Sequence, residues 1–231
     1  MKKALKEFEN FLKQIDLKHY RTRYQPIKIV EMDLPKNIQA IKLLYLVYWE
    51  NRDFIDFDEF YERYNQGLKE ELEGFREKTG MCEVCFYKGL PARIYRTWAS
   101  LVTQIHAGYV AESVFGKGTV EMSEALDHKG ADFQVKYKNS TLNYQIKKQS
   151  FSREVRAAKP RSNKLPGDEV NLFYNVPESK IFENPKTNKG DLRKPYSDFI
   201  NNKQLERYDN GFVVFTKDAF IETKHHIDKL S

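Results

Sequence analysis

Apolar residues recur along this chain with two different periods, and the change between them separates helical from extended territory. Leu5, Phe8, Phe11, Leu12 and Ile15 fall at helical spacing and predict an amphipathic helix over 3–15. Residues 20–35 show no such repeat and lie near Pro26 and Pro35, so they read as irregular. The strongly apolar stretch 38–48 predicts a helix. Asp56 or Asp58 offers a cap for another that runs through Leu72 or beyond. The aromatic residues of these segments, Tyr48, Phe57, Phe60 and Tyr64 among them, read as the core of a helical bundle rather than a platform for stacked bases. Residues 80–89 read as a break. Pro91 then opens a long helix in which Ile94, Trp98, Leu101, Ile105, Val110 and Val114 keep a rough 3.6 period up to Phe115. Proline suits that position because a first-turn N–H has no helical partner to lose.

Past Gly116 the period falls to two. Residues 119–122 suggest a short strand. Phe133-Gln-Val-Lys-Tyr137 alternates, the polar stretch 138–141 reads as a turn, and Leu142 to Lys148 alternates again. Alternation on both sides of a turn signal predicts paired antiparallel strands. Residues 170–176 read as a buried strand and 177–194 as loop. A short helix is expected from Ser197 or Asp198, a final core strand over 211–216, and a last helix or tail to Ser231.

Composition narrows the class without deciding it. The chain has 231 residues, 40% hydrophobic and 31% charged, as expected of an ordinary folded protein. No run approaches the ~18 apolar residues of a membrane span. The first residues, Met-Lys-Lys-Ala-Leu-Lys-Glu-Phe-Glu, lack the apolar segment of a secretory signal. No membrane partner and a cytoplasmic location are the expectation. Cys82 and Cys85 form a lone Cys-x-x-Cys. A structural zinc needs about four ligands, so two reduced thiols, packed or idle, are favoured over a metal site or a redox pair.

Charge is more informative in its placement than in its total. The chain carries +6, with pI near 9.0. Between His128 and Lys164 stand ten Lys or Arg against two acids, an excess of eight that exceeds the net charge of the whole chain. Such a concentration points to a polyanionic partner. Lys129, Lys148, Arg153, Arg156, Lys159, Arg161 and Lys164 are the candidate phosphate or base contacts, with one or two arginines suited to guanine edges. The segment 150–167, basic and containing proline and glycine, is expected at the surface.

This basic window contains the chain's most telling motif. Asp127-His-Lys-Gly-Ala-Asp132 is followed thirteen residues later by Gln145-Ile-Lys147-Lys148. On a hairpin, Asp132, Gln145 and Lys147 can converge at one end. Two carboxylates and a lysine are what metal-assisted phosphodiester hydrolysis requires: Mg²⁺ takes hard oxygen ligands, one or two of them carboxylates, and a lysine can orient or deprotonate a water. Asp132 is the first choice as metal ligand and Lys147 as the group handling water. Gln145 can lend a carbonyl oxygen but no charge. Asp127 or Glu112, from the long helix, is then needed as compensating carboxylate, although Asp127 could equally belong to a turn.

The arrangement of Glu112, then Asp132, then Gln145-Ile-Lys147 resembles the PD-(D/E)xK nuclease core. More specifically, the chain resembles the TaqI-type restriction endonucleases. The likeness runs through Ala4-Leu-Lys-Glu-Phe-Glu-Asn-Phe-Leu12, Tyr24-Gln-Pro-Ile-Lys28, Asp33-Leu-Pro35, Asp127-His-Lys-Gly-Ala-Asp-Phe133 and Lys147-Lys148. It implies an α/β fold, a central mixed β-sheet flanked by helices with a helical N-terminal part. One nuclease domain over 1–231 is expected, mainly helical to residue 90 and catalytic from 91 to 231. It also implies a homodimer that cuts double-stranded DNA at the palindrome TCGA with Mg²⁺, accompanied by an adenine-specific DNA methyltransferase. Asp127, Asp132 and Lys147 inherit the catalytic roles by position, whereas Gln145 departs from the acidic residue usual there. The competing expectations are a repair or structure-selective nuclease without a fixed site, and a DNA-binding protein that has lost its chemistry.

Overall fold

A computed structural model describes residues 2–27, 33–149 and 165–230, and the chain divides into two compact units. The first, Lys6–Ile105, is helical. Within it lie most of α1 (Lys2–Gln14), then α2 (Leu17–Tyr24), α3 (Ile41–Leu44) continued by a π-helical turn (Tyr45–Glu50), α4 (Phe57–Gly67), α5 (Lys69–Thr79) and much of α6 (Glu83–Phe115). Asp56 caps α4 by accepting the Glu59 N–H at 3.0 Å. The aromatic residues are core: Phe8, Phe57, Phe60, Tyr48, Tyr64 and Trp98 are all fully buried. Their polar atoms are accounted for. Trp98 Nε1 donates to the Tyr48 hydroxyl at 2.7 Å, and that hydroxyl donates to the Ile55 carbonyl at 2.7 Å.

Three sequence expectations change here. Residues 20–24 are helical, because Asp16 caps α2 and Leu17, Tyr20 and Tyr24 bury one face of an otherwise polar segment. The helix capped by Asp56 is interrupted at Leu68, and α5 begins separately. Gly80, in the left-handed conformation at φ +66°, closes α5, but no longer break follows. α6 starts at Glu83 and carries Pro91 in its interior. An interior proline costs about 3 kcal/mol. The burial of Leu90, Ile94 and Trp98 around it offsets that cost.

The second unit, Met1–Leu5 with His106–Ser231, holds the sheet. β1 (Val120–Glu121), β2 (Phe133–Tyr137), β3 (Ser140–Gln149) and β4 (Asp168–Asn175) form a mixed sheet in that order, antiparallel except for the β3–β4 pair. A six-residue helix, α7 (Glu124–Lys129), separates β1 from β2. After β4 come α8 (Ser179–Glu183), α9 (Lys194–Asn201), the ribbon β5 (Leu205–Arg207) with β6 (Val213–Phe215), and α10 (Asp218–Leu230). The expected mixed α/β architecture is what the chain adopts.

One face of the sheet is apolar. Phe133 and Tyr144 stack at 4.8 Å between centroids, and Phe220 of α10 packs on both. The opposite face holds a buried amide pair, in which Gln134 Nε2 donates to Asn143 Oδ1 at 2.8 Å. Gly167 fixes the approach of β4 to β3. At φ +109° a Cβ there would collide with the Thr141 carbonyl oxygen, so only glycine fits. β4 itself is not the buried strand expected over 170–176, since Asn171 and Phe173 are exposed. The loop expected over 177–194 contains α8, and α9 begins at Lys194 rather than at Ser197 or Asp198.

Candidate active site

The motif that opens the site is a helix ending, not part of the hairpin. Ser123 caps α7 by accepting the Leu126 N–H at 3.3 Å. Gly130 then takes φ +97° and its N–H binds the Asp127 carbonyl at 2.9 Å, while the Ala131 N–H returns to the Leu126 carbonyl at 3.0 Å. These two bonds form the left-handed glycine cap that satisfies the last helical carbonyls. Asp127 therefore sits half-buried in the last turn of α7, and Ala131 is buried as the chain turns into β2.

Asp132 comes next, at the mouth of the hairpin. Its N–H donates to the Tyr144 carbonyl at 2.8 Å, and its Oδ2 accepts the Ile146 N–H at 2.5 Å. The carboxylate thus stands in for a backbone acceptor at the point where β2 begins. The regular β2–β3 register ends at the Phe133–Tyr144 pair, and Asp132 stands just before it. Side chains of alternate residues share a face, so Gln145 and Lys147 lie on one face of β3, and the Asp132 carboxylate reaches the backbone N–H of Ile146 between them.

Gln145 is anchored through its amide nitrogen, which donates to the Gly130 carbonyl. The strand signal thereby meets the helix cap: the departure from an acidic residue supplies a donor that a carboxylate lacks. Lys147 is half-buried, with Nζ 5.8 Å from the centre of the Phe173 ring on the neighbouring strand. Tyr174, also on β4, has its hydroxyl pushed above the usual phenol range, by burial first and by the Asp132 charge second.

The parallel β3–β4 register pairs Gln145 with Asn171 and Lys147 with Phe173. Asn171 and Tyr174 are neighbours of the site that the sequence reading missed. A hairpin announces itself through local alternation, but a strand that arrives parallel from a distant segment has no local signal for its partner.

The other expected residues lie as follows. Glu112 is buried near the end of α6, and its Oε1 accepts the Gly118 N–H at 2.9 Å, tying down the turn after the helix. Among the described residues no three of His, Cys, Asp or Glu converge to hold a metal, so Asp127, Asp132 and Glu112 do not form one cluster. Lys129 and Lys148 are exposed at the ends of α7 and β3. Arg153, Arg156, Lys159, Arg161 and Lys164 lie outside the described residues, as does most of the basic segment 150–167.

The family described as TaqI restriction endonuclease matches residues 5–227. The chain belongs to this family. Two members are similar along nearly their whole length. The type II restriction enzyme TaqI of Thermus aquaticus is 31% identical over 232 residues, covering 96% of this chain and 86% of that enzyme. The type II restriction enzyme TthHB8I of Thermus thermophilus is 30% identical over 228 residues, covering 95% and 86%. No solved structure matches significantly. The resemblance read from the N-terminal segments and the Asp127–Asp132 motif is thus borne out, and the match extends through the last third of the chain, where the sequence reading found little.

Proposed function

We propose that the protein is a type II restriction endonuclease that hydrolyses phosphodiester bonds of double-stranded DNA at TCGA. The observation that carries this reading is membership of the TaqI family over residues 5–227, and within that stretch the Asp132 carboxylate meets the β3 backbone between Gln145 and Lys147. In this proposal Mg²⁺ is the cofactor. The donors fit it: the Asp132 carboxylate and the Gln145 amide oxygen are hard oxygen ligands, and magnesium takes only one or two carboxylates with water and phosphate completing its shell. A cation bound there would polarise the scissile phosphate and lower the pKa of a bound water.

The chain's own groups set the stage for that chemistry. The Ile146 N–H orients the Asp132 carboxylate. The Gly130 carbonyl orients Gln145 through its nitrogen, which directs the remaining amide oxygen away from that bond. Lys147 Nζ offsets charge on the phosphate and holds the attacking water by hydrogen bonding. Asp127 and Glu112 enter the proposal as supporting carboxylates, through the loop that presents Asp132 and the turn after α6.

Lys129 and Lys148 meet phosphates at the edge of the site, and Arg153, Arg156, Lys159, Arg161 and Lys164 extend that contact. A palindrome is read by two identical surfaces, so the working form is a homodimer. A companion adenine-specific DNA methyltransferase protects host sites.

Incubating the protein with a plasmid of known sequence and Mg²⁺ tests the whole reading. Discrete fragments ending at every TCGA support it. A smear or random nicks would indicate a repair-type nuclease. Retarded but uncut DNA would indicate a binding protein, the reading favoured by the missing acid at Gln145.

A further inference from the structure

Cys82 and Cys85 take no part in the proposed hydrolysis, yet both are exposed rather than packed away. They flank the first turn of α6. The Cys82 carbonyl accepts the Phe86 N–H at 2.9 Å, and Cys82 Sγ accepts the Cys85 N–H at 3.1 Å, so Cys82 occupies the cap position of the helix. The Cys82 and Cys85 side chains are close enough that each shifts the other's proton affinity. That contact makes them unequal. The Cys82 thiol is pushed down by the Cys85 side chain, then by the Cys85 backbone N–H, with the Arg76 guanidinium adding to the effect. The Cys85 thiol is pushed up by the Cys82 side chain, against a smaller opposing pull from Lys88. A thiolate at a helix N-terminus beside a protonated partner is the arrangement that thiol–disulfide exchange uses.

We propose that Cys82 and Cys85 form a redox-active dithiol that reacts with low-molecular-weight disulfides and closes into a disulfide across the first turn of α6. The Cys82 thiolate attacks one sulfur of a disulfide RSSR. A Cys82–S–S–R bond forms, the R–S–S–R bond breaks, and RS⁻ leaves. Cys85 then loses its proton and attacks Cys82 Sγ, expelling the second RS⁻. The protein dithiol loses two electrons and two protons, and RSSR becomes two RSH. Residues three apart on a helix have Cβ atoms about 5–6 Å apart, against about 3.8 Å in a disulfide, so closing the ring needs only a small adjustment of the exposed first turn. Zinc fits less well, because no three His, Cys, Asp or Glu converge among the described residues.

The test uses the full-length reduced protein and oxidised glutathione, with an acid quench, alkylation by N-ethylmaleimide and intact mass measurement. The wild type should lose two hydrogens and take up no maleimide. Cys85→Ser should stop at one glutathionyl adduct, and Cys82→Ser should react at least about tenfold more slowly than Cys85→Ser. Serine is itself a good cap and Cys85 is exposed, so both variants should keep the wild-type circular dichroism and melting transition. A wild type that ends with two glutathionyl groups, or as cross-linked dimers, would overturn the proposal. So would equal rates for the two variants, or no oxidation under glutathione excess. None of these outcomes depends on DNA cleavage.

Discussion

Replacing Gln145 by glutamate restores the acid that the hairpin motif usually carries, and the structure says it will destabilise the protein at neutral pH. The amide nitrogen of Gln145 donates to the Gly130 carbonyl. A carboxylate has no proton to give and would face that oxygen with a negative charge. Losing a hydrogen bond at a half-buried carbonyl costs about 1–3 kcal/mol. For a chain of this size each kcal/mol moves the melting temperature by about 2–4 °C. Gln145→Glu should therefore melt roughly 2–12 °C below the wild type at pH 8.

The sign of its pH dependence follows from the same bond. Only the protonated acid can donate to Gly130, so the introduced carboxyl has a folded-state pKa raised above its unfolded value of about 4.3. Its contribution is fully present below that unfolded value and is lost as pH rises through the folded one. Scanning calorimetry in EDTA, from pH 4 to pH 8, should show the gap between variant and wild type opening as pH rises. Added Mg²⁺ should then raise the melting temperature of Gln145→Glu more than that of the wild type, because the variant offers a second carboxylate and ligand binding stabilises the folded state. A variant that melts with the wild type at pH 8, or a gap independent of pH, would refute the account of this bond.

Three further outcomes follow from the same geometry. Asp132→Asn keeps an acceptor for the Ile146 N–H and removes only charge, so cleavage should fall at least about a hundredfold while calorimetry shows little change; near-normal cleavage would remove Asp132 from the chemistry. Tyr48→Phe strips both the acceptor of Trp98 Nε1 and the donor to the Ile55 carbonyl in the core of the helical unit, and should cost about 2–4 kcal/mol in urea denaturation. Asp228 is held below the usual carboxylate range by hydrogen bonds from Lys138 first and Tyr137 second. Its contribution is present above the unfolded pKa of about 3.9 and is lost as pH falls through the lower folded value. Asp228→Asn should therefore be less stable than the wild type at pH 7 at low salt, with the difference closing in strong acid.

Periodicity was enough to read the hairpin and α1, because in both a local pattern and the buried face coincide. The polar face of α2 hid a helix whose burial rests on three residues, and Pro91 signalled a helix start because the packing that overrides it comes from elsewhere in the fold. At the site, Asp132, Gln145 and Lys147 were legible since one hairpin carries all three. β4 was legible as a strand but not as their neighbour, because its parallel alignment with β3 is set by Gly167 and by a connection of many residues. Asn171 and Tyr174 came with it. The sequence could show that Gln145 departs from an acid, but not what holds the amide in place.

That last bond also explains the spacing of the motif. Asp127 lies in the final turn of α7, Gly130 must adopt φ +97° to end the helix, and Ala131 must be small enough to bury before Asp132 reaches the hairpin. The positions from 127 to 132 are thus fixed by the cap, whichever residue does the chemistry. Because the Gly130 carbonyl receives Gln145 while the Ile146 N–H reaches back to Asp132, the helix cap and β3 are stitched together on both sides of the Asp132 carboxylate. In the proposed magnesium site, an acid at 145 would exchange a neutral oxygen ligand for a charged one by cutting one of those stitches. The glutamine keeps the loop that aims Asp132 rigid, and leaves the charge at the centre to a single carboxylate.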